Sequence, residues 1–354
     1  MGVERVLSRR ELNRALLARQ LLLERAGVSV PRAVERLGGL QAQYTPSPYL
    51  TLWARLLGFE RDALTRALER RRVVKALLMR GTLHLVTPRD FWALASARRE
   101  LGAGSWPPSY ERRMPQRRIA ELARATVAEL RAGPRTFAEV AELLAPHATA
   151  EITPAFLWRR VQGQEHVVHA PPSGTWGYHG EGVYEAADAA IGGASPTPEA
   201  ACELLARRYL AAFGPATKQD LAQWAGLQRI GPIGELLERL NLRRFADEHG
   251  RTLYDLPRAP LPDADTPAPP RLVPRFDNLV LSHADRTRIL GDVSVARVVT
   301  KNAIVHATIL VDGFVAGTWQ LKEGRVELEP FGRLPRDARA ALKEEVESVE
   351  AFVA

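Results

Sequence analysis

Gly133-Pro134-Arg135-Thr136-Phe137-Ala138-Glu139-Val140-Ala141 is echoed 81 residues later by Gly214-Pro215-Ala216-Thr217-Lys218-Gln219-Asp220-Leu221-Ala222. In both copies Gly-Pro ends one helix, threonine caps the next, and an acid stands three residues beyond the cap. A match at a fixed offset reads as a duplicated unit. The residues after each copy agree with this. After the first, Thr153-Pro154 opens a helix running to Gln164. Val167-Val168-His169, a Pro-Pro-Ser-Gly turn and Thr175-Trp176-Gly177-Tyr178 then read as a hairpin. After the second, residues 233–240 read as a helix, and residues 242–246 and 252–256 as a hairpin around His249-Gly250. Helices followed by a hairpin form a winged helix.

Working outward, the N-terminal third carries the same pattern with an extra helix. Ser8-Arg9-Arg10-Glu11 is a capping box, and Leu7 with Leu12 forms its hydrophobic staple. A second helix starts near Pro31 and runs toward Gln43, a third begins around Ser47, and a fourth covers residues 62–71. Extended runs at 73–79 and 82–86 meet at Arg80-Gly81, and Thr87-Pro88 caps a further helix. On the C-terminal side, residues 257–274 are proline-rich and read as a linker. Beyond them come β-like runs at 279–281, 293–299, 304–311, 314–321 and 326–328. Asp312-Gly313 and Glu323-Gly324 mark hairpin turns, and a charged helix closes the chain. The expected fold class is α+β, mainly helical: three tandem winged-helix units at 1–120, 121–195 and 196–257, with a C-terminal β-rich domain at 275–354.

The 354 residues are 46% hydrophobic and 25% charged, an ordinary globular composition. Residues 1–10 hold no apolar run of the kind a secretory signal needs, and no apolar stretch approaches a membrane span. Cys202 is the only cysteine, which rules out disulfides within the chain, and a cytoplasmic location is expected. Net charge is +8, unevenly placed. Residues 1–135 hold 26 Lys+Arg against 12 Asp+Glu, while the remainder holds 23 against 29. Coding bias explains arginine over lysine but not why the excess sits at one end. A concentrated basic surface suits a polyanion.

Gly38-Gly39-Leu40-Gln41-Ala42-Gln43-Tyr44 holds two glutamines two apart. On a regular helix such residues point about 200° apart. Both amides meet one pocket only where a helix ends or is distorted, as the glycines and Pro46 would allow. Taken alone, a Gln-x-Gln pair is weak.

Gly39-Leu40-Gln41-Ala42-Gln43, Met79-Arg80-Gly81-Thr82-Leu83-His84-Leu85, Asn278-Leu279-Val280-Leu281-Ser282-His283-Ala284-Asp285-Arg286, and Val311-Asp312-Gly313 through Gly317-Thr318-Trp319 occur in that order. Together they resemble the AlkZ-like DNA glycosylase family over nearly the whole chain. The resemblance implies a C-shaped assembly of three winged helices with a C-terminal β-domain. It also implies excision of bulky N7-alkylguanine from double-stranded DNA, in some members unhooking of interstrand crosslinks, and no metal or cofactor. The family's catalytic Gln-x-Gln maps onto Gln41 and Gln43. A related branch carries an acid at the second position; Gln43 places this chain with the branch that gives antibiotic producers self-resistance.

The chemistry suits neutral amides. Alkylation at N7 leaves a positive charge on the purine, so the base departs neutral and needs no strong general acid. What remains is to place water beneath C1′ and stabilise an oxocarbenium-like sugar. An amide oxygen can align water while its NH2 binds a phosphate or sugar oxygen. Candidate DNA contacts are Arg80, His283, Arg286 and Lys301, with Asp285 read as pairing Arg286 at a strand end. Lys75 and Lys301, the lysines near candidate hairpins, read as phosphate contacts rather than Schiff-base amines. His166 and His169 lack further ligands at metal spacing. Most of the seven tryptophans read as core, with Trp106 as the exception. A monomer is expected. The competing reading is a winged-helix transcriptional regulator without catalysis.

Overall fold

A computed structural model of the chain describes residues 2–102 and 114–354. The capping boxes stand where the sequence puts them. Ser8 and Glu11 satisfy each other's backbone amides at the start of the Arg9–Arg19 helix, and Leu7 and Leu12 pack with Phe245 and Leu253. Thr136 with Glu139 opens the Phe137–Leu144 helix, and Thr217 with Asp220 opens Lys218–Ala225. Each box supplies partners for amides that the first turn leaves orphaned, and losing such a cap costs about 1 kcal/mol.

Three short sheets follow groups of helices. Leu40–Gln41, Leu83–Val86 and Val74–Leu77 make one; Arg135–Thr136, Val183–Ala186 and Val167–His169 make another; Val6–Leu7, Arg243–Asp247 and Thr252–Asp255 make the last. Val6–Leu7 runs parallel to Arg243–Asp247, so the N-terminus is stitched to a strand more than two hundred residues away. The expected partner of Val167–His169, residues 175–178, is instead turn. The Thr175 N–H and hydroxyl both donate to Pro172 O, which closes the chain on itself, and Val183–Ala186 takes the ladder.

The C-terminal sheet has the order Arg271–Val273, Ala307–Val311, Phe314–Lys322, Arg325–Pro330, all antiparallel. Its first strand comes from residues read as linker. Two β-like runs are corrected. Asn278–Leu281 is a helical turn, because the Asp277 carboxylate accepts from the Leu279 N–H and caps it; a short apolar run fits either period, and the cap decides. Within 293–299, Val295–Arg297 forms a 3-10 turn. The Arg336–Val353 helix covers the sheet, burying Leu342 and Val349 against Leu272, Ile309 and Trp319.

Residues 114–186 enclose a core of their own around Ile119, Val140, Leu157 and Trp158. The largest core joins Leu16, Phe91, Tyr209, Trp224, Val280 and Leu310, and so spans the N-terminal helices, the Pro198–Phe213 helix and the C-terminal segment. Two buried ion pairs bridge the same parts: Arg19 to Asp255 at 2.7 Å and Arg55 to Asp277 at 2.9 Å. Breaking one by removing a single partner costs about 3–5 kcal/mol, because the other charge stays buried. Trp53, Trp92, Trp158, Trp224 and Trp319 are buried as expected, Trp176 is half-buried, and Trp106 lies outside the described residues. Cys202 is buried in the Pro198–Phe213 helix. Among the described residues no helix is long and apolar enough to cross a membrane.

Candidate active site

Gly38 and Gly39 decide how the two glutamines are presented. The Val30–Arg36 helix stops short of Gln43 because both glycines take the left-handed conformation, at φ +71° and +85°, which a side chain resists. At Gly39 an added Cβ would also lie 3.0 Å from Val86 Cγ1. The chain leaves as the Leu40–Gln41 strand, with Gln41 opposite His84, and the Ala42 N–H donates to Leu83 O. Gln41 ends that strand and Gln43 lies in the bend just beyond it. The expectation of a helix end is replaced by a strand.

Gln41 is 7% exposed, whereas Gln43 lies open at the surface. Gln43 Oε1 accepts from the Leu83 N–H at 3.2 Å, and Gln41 Oε1 accepts from Arg80 Nη2 at 2.8 Å. Each oxygen keeps a second lone pair. Behind Gln41 is a cavity of about 10 Å³ bounded by Gln20, Thr51, Asp277 and Asn278, at the lower limit for one water.

Arg80 braces this arrangement instead of reaching outward as a phosphate grip. It sits at φ +57°, a conformation uncommon for a residue with a side chain. Its Nη2 donates to Gln41 and to Asn278 Oδ1 at 2.9 Å, and its Nη1 to Trp224 O at 3.0 Å. Asn278 in turn donates to Gly39 O at 3.0 Å. His84 Nδ1 lies 3.0 Å from Thr82 O, a contact that places the ring proton on Nδ1 and turns Nε2, as acceptor, toward Arg80 at 3.4 Å. Burial, aided by the Arg80 charge, holds His84 well below the usual histidine range and neutral.

Arg98 Nε donates to Ala225 O at 3.1 Å, so two guanidiniums dock on the last carbonyls of the Lys218–Ala225 helix, its negative end. Burial, then repulsion from Arg98 and Arg286, pulls Arg80 down to about 10. Burial, then Arg159, does the same to Arg98. Among the described residues neither these two nor Arg286 forms an ion pair with a carboxylate. A polar cleft of about 520 Å³ opens beside them, bounded by Arg80, Gly81, Arg98, Arg99, Arg159 and Glu165.

Gly226, the left-handed cap of that helix at φ +75°, is where the two backbones touch. An added Cβ would stand 2.5 Å from Arg80 Cα and 2.6 Å from Arg80 N. Gly226→Ala is expected to destabilise the protein by on the order of 3 kcal/mol, from overpacking plus a disfavoured backbone. It should also slow base excision by displacing Arg80. Urea unfolding alongside an excision assay checks this; a wild-type midpoint would show that the contact relaxes freely.

The remaining candidates scatter. His283 is sealed: it is 1% exposed, with Nε2 3.0 Å from Phe213 O and Nδ1 2.9 Å from Ser282 Oγ. With both ring nitrogens committed inside, it cannot touch DNA, which corrects the expected contact. Asp285 pairs with Arg251 at 2.6 Å, not with Arg286, and accepts from Thr287; these bonds draw it down to about 2 despite partial burial. Arg286 is half-buried near Arg80. Lys301 is exposed in the turn between the bridged Val299 and Val305, with no bond to the glutamine site. Lys75 is buried beneath Gly174, its amine pushed down to about 8 by burial alone, so it is no surface phosphate grip. Among the described residues no cluster of three metal-ligating side chains occurs.

Neither Asn278 nor Arg98 stands out in the sequence as a site residue. Asn278 opens one of the runs that carry the family resemblance, so its position is visible there but its partner is not.

A family model described as "DNA glycosylase AlkZ-like" matches residues 34–352. An "Interstrand DNA cross-link repair glycosylase" from Streptomyces sahachiroi is 25% identical over 94% of this chain and 93% of its own length. The solved structure of Streptomyces sahachiroi DNA glycosylase AlkZ superposes with a TM-score of 0.83, covering 99% of this chain and 98% of the other at 22% identity, which speaks to the fold.

Proposed function

The chain belongs to the AlkZ-like DNA glycosylase family and is a DNA N-glycosylase, and from that premise we propose that it is monofunctional, with Gln41 and Gln43 placing the hydrolytic water at bulky N7-alkylguanine in duplex DNA. The observation that carries this reading is the pair of neutral amides bonded to the Arg80–Leu83 segment, Gln43 to the Leu83 N–H and Gln41 to Arg80, an arginine that among the described residues binds no carboxylate. The water oxygen bonds to C1′ and the C1′–N9 electron pair returns to the cationic base, which leaves neutral. The water proton passes to solvent. Amides cannot serve as strong bases, so the rate rests on alignment and on a substrate already activated.

Three helix-and-hairpin groups beside a C-terminal sheet support a tandem winged-helix architecture, acting as a monomer. Arg286 and Lys301 remain proposed DNA contacts. Crosslink unhooking is proposed from the relative described as a cross-link repair glycosylase, and self-resistance from Gln43.

Incubation with duplex carrying one N7-alkylguanine, followed by alkaline cleavage, tests the reading. Strand scission at the lesion is expected, and intact DNA with tight binding to one undamaged sequence would favour the regulator. Borohydride added during turnover is expected to trap no protein–DNA adduct. Lys75, the one depressed amine near the site, opposes Leu85 in the sheet, whereas Gln41 opposes His84. Its side chain is thus on the face away from Gln41. A trapped adduct would end the monofunctional assignment.

A further inference from the structure

Residues 275–278 are fastened to the glutamine strand and the core around it. Asn278 bonds Gly39 O and Arg80, and Asp277 accepts from Arg55 at 2.9 Å and from Thr51 at 3.1 Å. Phe276 sits at φ +58°, strained for an aromatic residue, with its ring packed on the main core and its N–H donating to Val305 O. Such a conformation persists only where surrounding bonds impose it. Its consequence is the placement of Arg275. The guanidinium carbon lies 5.4 Å from the Tyr44 ring centroid and 5.6 Å from that of Phe276. Tyr44, next to Gln43, is 42% exposed.

A guanidinium stacked on rings uses its faces and leaves its N–H edge free, the edge that matches two phosphate oxygens. Arg275 is exposed and forms no hydrogen bond or ion pair among the described residues. Most surface arginines are solvated and mobile. This one is ordered beforehand by two rings, so less freedom is lost on binding.

We propose that Arg275 is the seat of a backbone phosphodiester flanking the lesion, held in place by Tyr44 and Phe276, and that this contact sets C1′ in register with Gln41 and Gln43. The proposal deepens the glycosylase reading and rests on it. Any sugar offered to Gln43 carries its own phosphates, and the ring beneath the Arg275 guanidinium belongs to Tyr44, the residue next to Gln43.

The test measures affinity for undamaged duplex across a salt series, and single-turnover excision at saturating enzyme, for wild type, Arg275→Gln, Arg275→Lys and Tyr44→Leu. Arg275→Gln is expected to reduce the slope of log affinity against log salt by about 0.9, the loss of one phosphate contact, and to slow excision at least tenfold. Arg275→Lys should keep the slope but not the rate, since a point charge lacks the fork. Tyr44→Leu changes no charge and should likewise keep the slope while slowing excision. A wild-type slope and rate in Arg275→Gln would overturn the proposal. Should that variant fail to fold, a fully active Arg275→Lys together with a fully active Tyr44→Leu would overturn it equally. If wild-type protein neither binds duplex nor excises the base, it is the glycosylase reading that fails, not the seat.

Discussion

Replacing Gln43 by alanine is expected to slow single-turnover excision of N7-alkylguanine by about 10²–10³, the loss typical of one preorganised polar group, with duplex affinity and folding nearly unchanged. Gln43 is exposed, and its one protein bond is accepted from the Leu83 N–H, which water can replace. Gln41→Ala is the harsher change. It removes an acceptor from Arg80 Nη2 in a site where that guanidinium is already disfavoured by burial and by two like charges, so loss of stability accompanies loss of rate. The double variant should fall little further than the worse single one, because side chains aligning one water act as a unit. Single-turnover kinetics with urea unfolding separates these effects. Wild-type excision in Gln43→Ala, with the fold intact, would remove the pair from the chemistry.

Acid is expected to destabilise the protein from about pH 6.5 downward, beginning above the carboxylate range. His84, His169 and His283 are all buried, and burial pushes each below the ordinary histidine value of 6.5, His283 to about 3 and the other two well down. The unfolded chain protonates these rings near 6.5 while the folded chain refuses the proton. The unfolded state therefore binds more protons across that window, and stability falls as pH falls. Each ring contributes about 1.4 kcal/mol per pH unit, hence roughly 4 kcal/mol per unit for the three together. A domain holds about 5–15 kcal/mol in all, so cooperative unfolding is expected within about one to four units below pH 6.5. Above that the rings are neutral in both states and add no slope. Urea midpoints at pH 7.5, 6.0 and 5.0 check this, and equal midpoints would mean the rings take up protons without leaving the fold. The activity should fall in the same window, in step with the folded fraction, because His84 takes up its proton only as the fold around Arg80 and Gln41 opens.

Local signals were legible because their physics is local. The Ser8, Thr136 and Thr217 capping boxes, the Thr153 cap and the Asp312-Gly313 and Glu323-Gly324 turns each involve residues at most three apart, and all stand where the sequence places them. The short apolar run at 279–281 misled because three residues cannot distinguish a period of two from one of 3.6. His283 misled because a histidine in a polar run looks exposed until the Pro198–Phe213 helix closes over it.

The sequence by itself determined the family, through motifs spread over the whole chain, and the two glutamines as the residues to watch. Only the tertiary structure decided how they are held. The strand geometry of Gln41, the brace at Arg80 and the Tyr44 ring against Arg275 join residues 39, 198 and more than 230 positions apart, through pairings that no local spacing encodes. Such pairings form only once burial has brought distant segments together, and the same burial keeps His84 neutral and Arg80 in place.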